Sequence, residues 1–361
     1  MKGAPLSKAD ITDEGTPFVL YGELYTTYGE VTHSIKRRTD KVVEPQFYSK
    51  VGDVIMPTSG ETPEDIATAS CIMLPDVILA GDLLIYRTQK VDGRLVSFVV
   101  KNKVNKQISS VAQGKSVVHV RAEELSKISI SYPSDAEQQK ILTMLELLED
   151  KMAKQRELIE HLKKYKRGVS IAIFDRKISL TKNSPSWIKT TVGEICKITM
   201  GQSPDSESYN TDQIGIPLVQ GNADMKNRIT CPQRYTSKPT KICEKGSIIL
   251  SVRAPVGSVG RADRTVCLGR GVCAINSDNN DFLYYFFERN EPYWKRIEQG
   301  GTFTAISGDD IADMPIDYPS LEERQKIADF LLKIDTHIAA EQNTLDQFIT
   351  LKSGLLQQLF I

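Results

Sequence analysis

The sequence contains nearly the same phrase twice, YPSDAEQQKI at residues 132–141 and YPSLEERQKI at residues 318–327. The similarity of residue types continues without a gap for more than forty residues, always at a spacing of 186. In both copies apolar residues recur at alternating steps of four and three, which is the pattern of a helix that packs along an apolar stripe. The repeat therefore predicts two long helices.

Two polar residues interrupt each apolar stripe at equivalent places, Gln155 and Lys166 in the first copy and Glu341 and Lys352 in the second. A long helix cannot bury such a stripe alone, so we expect the two helices to pair, with the matched polar positions setting their register. The predicted seam consists of Ile141, Leu145, Leu148, Met152, Ile159, Leu162, Ile327, Leu331, Ile334, Ile338, Leu345 and Phe348.

The start of each helix carries a recognisable signal. A proline is followed by Ser134 in the first copy and by Ser320 in the second, and Glu137 and Glu323 stand three residues after these serines. Serine followed by glutamate at this distance is typical of a capping box, and the proline ends the preceding strand. We therefore expect the helices to occupy residues 134–178 and 321–361.

The other residues, 1–133 and 179–320, are predicted to form two β-rich globules. Short apolar runs bounded by Gly, Pro, Asp and Asn are typical of strands separated by turns. The expected fold class is α+β, with two β-rich globules alternating with two long, paired helices. The runs are GDLLIY (81–86), RLVSFVV (94–100), GSIILSV (246–252) and TVCLGRGVCAI (265–275).

The charge of the chain is balanced overall but concentrated locally. It has 46 basic and 46 acidic residues, so its net charge does not by itself indicate nucleic-acid binding. Residues 87–127 and 222–264, however, each contain nine Lys or Arg against three Asp or Glu. Lys and Arg bind phosphates, while Arg, Asn and Gln bind base edges, so we interpret each segment as part of a DNA reader. A merely solvated basic face is the alternative.

The candidate DNA-binding residues are side chains of these two segments and of the loops 113–116 and 299–302, which precede the two helices at equivalent places. They are Arg87, Lys90, Lys101, Lys103, Lys106, Lys115, Asn222, Lys226, Arg228, Arg234, Tyr235, Lys238, Arg253 and Thr302.

The sequence predicts no catalytic or metal site. Asp205 after Pro204, followed by Asp224 and Lys226, fits the loose PD…D-x-K pattern of Mg²⁺-dependent nucleases. Such common residue types with a free gap arise by chance, and the first globule has no matching set, so an autonomous nuclease is a weak alternative. The four histidines are scattered and the six cysteines include no C-x-x-C pair, which argues against zinc and disulfides.

The sequence has neither a run of about 18 apolar residues nor a basic segment followed by an apolar one at its start. We therefore expect a cytoplasmic protein without membrane association.

The order of these features resembles that of the specificity subunits of type I restriction-modification systems. In that family, two β-rich globules alternate with two long helices, each opened by a Pro…Glu-Gln-x-x-Ile phrase. The resemblance covers essentially the whole chain. Its supporting phrases are FVLYGELYT (18–26), WIKTTVGEI (187–195), GQSP (201–204), GIPLVQGN (215–222) and QGGTF (299–303).

The resemblance implies a non-catalytic function in DNA recognition. Each globule would be a target recognition domain that reads one half of a split, asymmetric sequence in double-stranded DNA. The helices would form an antiparallel coiled coil that fixes the gap between the half-sites and docks methyltransferase subunits, two being expected. Restriction/translocase subunits would be partners through the complex. The chain would bind no cofactor, because S-adenosylmethionine, ATP and Mg²⁺ belong to the partner subunits that methylate and cleave.

The chain departs from the family pattern at its start. The second globule opens with a segment that is predicted to form a strand, between Ser186 and Met200. The first globule, which begins at Met1, matches the family only from a point after the equivalent strand. We therefore expect the first domain, 1–133, to lack its opening strand. The competing functional class is a coiled-coil scaffold whose globules bind protein, and it predicts binding that survives high salt, unlike a reader that contacts phosphates.

Overall fold

The computed structural model describes residues 1–114, 117–181, 186–300 and 305–360, with the side chains of all of these except 295–300. The chain divides into two compact units. The first unit combines Met1–Arg156 with Thr344–Ile361, and the second is Glu157–Asn343. Within the described residues, no helix is both long and apolar enough to cross a lipid bilayer.

The two predicted long helices are present. The central helix is Asp135–Phe174 and the C-terminal helix is Leu321–Leu359, so each contributes residues to both units. At the start of the C-terminal helix, the backbone N–H of Glu323 donates to the Ser320 hydroxyl over 3.3 Å, the capping contact that the sequence predicts. The α+β class, with two long helices beside two β-rich globules, is confirmed.

The helices pair antiparallel in each unit. In the first unit, Leu142 and Leu145 near the start of the central helix share a hydrophobic core with Leu356 and Phe360 at the end of the C-terminal helix. In the second unit, Ile173 near the end of the central helix shares a core with residues from the start of the C-terminal helix, namely Ile327, Leu331 and Ile334.

The predicted seam residues lie on the covered side of the helices. Eight of them are buried, namely Leu145, Leu148, Met152, Ile159, Ile327, Leu331, Ile334 and Leu345. The other four, Ile141, Leu162, Ile338 and Phe348, are half-buried.

The first globule contains three small sheets and a helical layer. The sheets are, in spatial order, Arg38–Thr39, Thr16–Leu20 and Ile78–Ala80; Val31–Thr32, Ser70–Ile72, Asp53–Pro57 and Leu83–Tyr86; and Ser59–Gly60 with Val118–His119. The α-helices are Glu23–Thr26, Pro63–Ile66, Gly93–Asn102, Asn105–Val111 and Ala122–Leu125, with 3-10 turns at Lys8–Asp10 and Pro45–Phe47.

The strand predicted for RLVSFVV (94–100) is wrong, because these residues belong to the helix Gly93–Asn102. The Asp92 carboxylate accepts a hydrogen bond from the backbone N–H of Arg94 over 2.9 Å and so caps the helix. The helix is covered on several sides, so Leu95, Phe98 and Val100 are all buried. The polar residues Arg94, Ser97 and Lys101 do recur at steps of three and four, but a short apolar run of this kind does not by itself distinguish a helix from a strand.

The second globule is richer in strands. Its sheets are, in spatial order, Lys197–Met200, Val272–Asn276, Ile248–Ser251, Val259–Arg261, Ile229–Thr230 and Met225–Lys226; Tyr209–Asn210, Tyr235–Thr236, Ile216–Val219, Val266–Leu268 and Ile242–Cys243; and Ile188–Thr191 with Pro315–Tyr318. Its α-helices are Val192–Ile195, Asn280–Gly300 and Gly308–Ala312, with 3-10 turns at Ser206–Ser208 and Asn222–Asp224.

The strand that opens the second globule, Ile188–Thr191, pairs antiparallel with Pro315–Tyr318, the last strand before the C-terminal helix. The equivalent segment of the first copy, 129–132, forms no strand in the described part of the first globule. The predicted domain limits, 1–133, 134–178, 179–320 and 321–361, stay predictions, because the compact units cut through the helices.

Candidate nucleic-acid interface

Two of the basic candidates in the first globule are engaged within the protein. The guanidinium of Arg87 lies 3.2 Å from the Asp53 carboxylate and donates to the backbone carbonyl of Tyr48 over 3.0 Å. The ammonium of Lys101 lies 2.9 Å from the carboxylate of Glu30, whose side chain is buried. Both side chains therefore have structural partners, which weakens the prediction that they bind DNA.

Three other candidates of this globule are exposed and clustered around the helices that follow Asp92. Lys90 precedes the helix Gly93–Asn102, Lys103 ends it, and Lys106 lies in the next helix. Lys103 approaches the Ser131 hydroxyl at 3.4 Å, whereas Lys90 and Lys106 form no ion pair within the described residues. Lys115 lies outside the described residues.

Arg228 of the second globule is held by two carboxylates of the helix Asn280–Gly300. Its Nη2 atom lies 3.0 Å from Glu291 and its Nε atom 3.2 Å from Glu288. Burial alone would lower the pKa of Arg228, but the two carboxylates outweigh this effect and raise it above its ordinary value. Arg228 lies in the turn between the strands Met225–Lys226 and Ile229–Thr230, so its guanidinium links this turn to the helix. The charge pattern of the sequence did not reveal this role.

The remaining candidates of the second globule lie on strand ends and loops. Tyr235 is half-buried in a strand that pairs with Pro217. Thr302 lies outside the described residues. The exposed candidates are Asn222, Lys226, Arg234, Lys238 and Arg253.

The structure brings Arg253 together with residues that the sequence reasoning missed. Arg253 and Arg270 line a small polar pocket of about 270 Å³, together with Ser203 and Gln220. Arg270 stands between two glycines, in a tight turn between two buried strands. An arginine between two glycines can be recognised in the sequence, but Arg270 lies outside the basic segment 222–264 and was not selected.

The two carboxylates of the nuclease-like pattern accept hydrogen bonds from backbone N–H groups. Asp205 accepts a hydrogen bond from the N–H of Glu207 over 3.1 Å, and Asp224 accepts one from the N–H of Gln220 over 2.6 Å. Among the described residues, no group of three or more His, Cys, Asp and Glu side chains is arranged to hold a metal ion.

The first globule contains a serine, a histidine and an aspartate in contact, which the scattered histidines of the sequence did not predict. The Ser59 hydroxyl donates to Asp82 over 2.9 Å and lies 2.9 Å from Nδ1 of His119. Because its single proton is directed to Asp82, the hydroxyl accepts from the histidine. In a serine nucleophile the proton goes to the histidine instead, so this cluster joins strands and does not activate a nucleophile.

An apolar groove of about 840 Å³ lies on the helix pair within the first unit. Its walls include Met144, Leu147 and Leu351, whose side chains are 38%, 58% and 52% exposed. Lys140 and Lys151 stand among its lining residues. Exposed apolar side chains concentrated in a groove are typical of a protein-binding surface.

Comparisons with known proteins agree with this architecture. A protein of Methanocaldococcus jannaschii, assigned as the type I restriction enzyme MjaX specificity subunit, is 30% identical over 308 residues, covering 79% of this chain and 72% of the relative. A solved structure described under "complex assembly and conformational transition of the type I R-M system" matches with a TM-score of 0.63 and 25% identity, covering 99% of this chain and 94% of the other.

A second solved structure, the S subunit of a type I restriction-modification system from M. genitalium, shares the fold with a TM-score of 0.64 at 17% identity, covering 100% of this chain and 93% of the other. The family described as "Type I restriction modification DNA specificity domain" matches residues 87–164 and 185–350. The family match includes residues 87–133 of the first globule, most of the second globule and most of both long helices. On these matches the chain belongs to the family of type I restriction-modification DNA specificity subunits.

Proposed function

We propose that this chain reads a split, asymmetric target in double-stranded DNA, with one half-site for each globule. One observation carries this proposal: the two helices repeat the same pattern of apolar and polar residues, whereas the globules they accompany present different exposed basic side chains. Two different readers attached to equivalent helices would recognise two different half-sites. A fixed distance between paired readers gives a fixed half-site spacing, as in dimeric repressors.

For the first half-site, the exposed Lys90, Lys103 and Lys106 are the proposed contacts, because their ammonium groups are more accessible than the paired groups of Arg87 and Lys101. For the second half-site, the proposed contacts are Asn222, Lys226, Arg234, Tyr235, Lys238 and Arg253. Arg234 and Asn222 can bind base edges bidentately, and the lysines supply charge for phosphates.

We further propose that the helix pair docks methyltransferase subunits, two in the complete complex, and sets the gap between the half-sites. The apolar groove around Leu147 and Leu351 supports the docking, because burial of these exposed leucines would stabilise an interface. The chain itself would be non-catalytic and cytoplasmic. S-adenosylmethionine, ATP and Mg²⁺ would be bound by methyltransferase and restriction subunits.

The experiment is single-molecule mapping of methylated bases in DNA from cells that express the chain with its methyltransferase, compared with cells that lack the chain. The proposal predicts a new motif of two different half-sites with a constant gap. A continuous motif, or methylation that does not depend on the chain, would contradict it. If no motif appears while the methyltransferase still co-purifies, the first globule has lost its reader. If the methyltransferase does not co-purify either, the scaffold function is favoured instead.

A further inference from the structure

The polar pocket of the second globule is formed where loops from four different parts of the chain meet. They follow the strands Lys197–Met200, Ile216–Val219 and Ile248–Ser251 and connect Val266–Leu268 with Val272–Asn276. The turn at its centre is bonded to the other three loops: Gly269 N–H donates to the Val219 carbonyl (2.8 Å), Arg270 N–H to the Ser203 hydroxyl (3.2 Å), and Val252 N–H to the Gly271 carbonyl (2.9 Å).

Glycines allow this close approach. A Cβ atom at Gly271 would lie 2.1 Å from the carbonyl oxygen of Gln220, and one at Gly201 would lie 2.1 Å from that of Gly269. No side chain fits at either distance, so the loops can meet in this way only because these two positions are glycine. The backbone around the pocket is thereby fixed before any ligand arrives, which reduces the entropy cost of binding.

The pocket is positively charged. Arg253 and Arg270 line it and are both exposed, and no carboxylate is among the lining residues. Neither guanidinium forms an ion pair with a described residue, whereas Arg228 and Arg264 of the same globule are paired with carboxylates. The Ser203 hydroxyl and the Gln220 side-chain amide add neutral hydrogen-bonding groups.

Asp224, which follows the lining residues Gln220 and Gly221 in the chain, already has hydrogen-bond partners. The Asp224 carboxylate accepts hydrogen bonds from the backbone N–H groups of Gln220 (2.6 Å) and Gly221 (3.3 Å), behind the loop that lines the pocket. Its charge is thus partly compensated by backbone dipoles. Two arginines with no carboxylate between them favour an anion that accepts several hydrogen bonds.

We propose that this pocket binds one backbone phosphate of the second half-site, through Arg253 and Arg270. The inference rests on the proposed function and assigns a task within it. Phosphates protrude from a duplex and can enter a recess, whereas base edges lie at the floor of a groove and are reached by protruding side chains. The pocket contributes affinity and fixes the register of the globule on DNA, but it does not select a base.

The test uses the complex of the chain with its methyltransferase, after the motif has been mapped. Duplexes that carry the motif are prepared with a neutral methylphosphonate at each successive position of the second half-site. The wild-type complex is expected to lose affinity at one position in particular. The Arg270→Ala and Arg253→Ala complexes bind the unmodified duplex more weakly and lose no further affinity at that position.

Salt dependence gives an independent measurement. Each lost phosphate contact should reduce the slope of log Kd against log salt by about 0.9, with the methylated motif unchanged. Arg264→Ala is the matched control, because Arg264 is exposed in the same globule but paired with Asp263 outside the pocket. Its slope is expected to equal that of the wild type. Arg270→Lys keeps the charge and should retain most of the slope.

Two results would overturn the inference. If Arg253→Ala and Arg270→Ala leave both the salt slope and the methylphosphonate profile unchanged, the pocket does not bind phosphate. If either change relaxes the motif at a single base, the pocket reads a base edge instead. Both results still leave the mapped split motif in place, so they are distinct from a failure of the proposed function, in which the wild-type complex has no split motif.

Discussion

The Nζ atom of Lys352 lies 3.3 Å from the carboxylate of Glu30, a residue 322 positions earlier in the chain. Lys352 also pairs with Glu149 of the central helix. In the second unit, the equivalent Lys166 lies 2.7 Å from both Glu288 and Asp335. The lysine of each repeat thus joins one carboxylate of a globule to one carboxylate of the opposite helix, which explains why a polar residue interrupts the apolar stripe at this place.

Replacing Lys352 with Met should destabilise the first unit by about 3 kcal/mol, because the buried Glu30 carboxylate would lose one of its two cations. Urea unfolding measures the loss. Lys163→Met, at an exposed position of the central helix in the second unit, is the control, since the exposed pair of Lys163 with Glu160 should contribute less than about 0.5 kcal/mol. Equal effects of the two substitutions would contradict the structural role of Lys352.

The stability of the first unit should fall in acid through Glu30. Burial alone would raise the pKa of Glu30, but the ammonium groups of Lys352 and Lys101 outweigh it and hold the pKa below its ordinary value of 4.5. A carboxyl whose pKa is lower in the folded state contributes stability above its unfolded pKa and loses it as the pH falls through the folded value. The difference in unfolding free energy between wild type and Glu30→Gln should therefore be largest above about pH 5 and shrink as the pH falls below 4.5 and through the folded pKa of Glu30. A constant difference across this range would refute the assignment.

Arg228→Ala should act on stability and leave sequence choice unchanged. The substitution removes the cation between Glu288 and Glu291, so we expect a loss of about 2 kcal/mol, between the values for surface and buried pairs because Arg228 is 39% exposed. Arg234→Ala, at an exposed position of the same globule, should leave stability within about 0.5 kcal/mol. Thermal unfolding and methylation mapping together separate the two residues. A changed second half-site in a stably folded Arg228→Ala protein would contradict this role.

Replacing Leu147 with Asp should prevent methyltransferase docking without unfolding the chain. Leu147 is 58% exposed in the apolar groove, so a carboxylate there is tolerated by the free chain but would be desolvated in an interface. Co-purification with the methyltransferase is expected to decrease at least tenfold. Leu158→Asp is the control, because Leu158 is 40% exposed on the same helix and does not line this groove. Undiminished co-purification of Leu147→Asp would exclude this groove as the docking surface.

The long helices were predictable from sequence because a repeated apolar stripe is a signal spread over forty residues. The helix Gly93–Asn102 was not, because its apolar residues form a short run rich in valine, and such a run fits a strand as well as a helix. The candidate DNA-binding residues could likewise not be sorted from the sequence alone. The sequence does not distinguish Arg228 from Arg270. Arg228 is paired with carboxylates of a helix that is distant in sequence, whereas Arg270 lines a pocket. Such partners come from contacts across the fold, which charge counting along the chain does not detect.

The discontinuous composition of the first unit has a consequence for biosynthesis. Its core includes Leu356 and Phe360, which follow Arg156 by 200 and 204 residues along the chain. Between the emergence of Met1–Arg156 and that of these side chains, the whole of Glu157–Asn343 is translated, which takes roughly ten to forty seconds at about 5–20 residues per second. During this time the nascent first globule lacks the contacts that Leu356 and Phe360 make with the core containing Leu142 and Leu145. The second globule, although it is translated later, is therefore the first whose chain is complete.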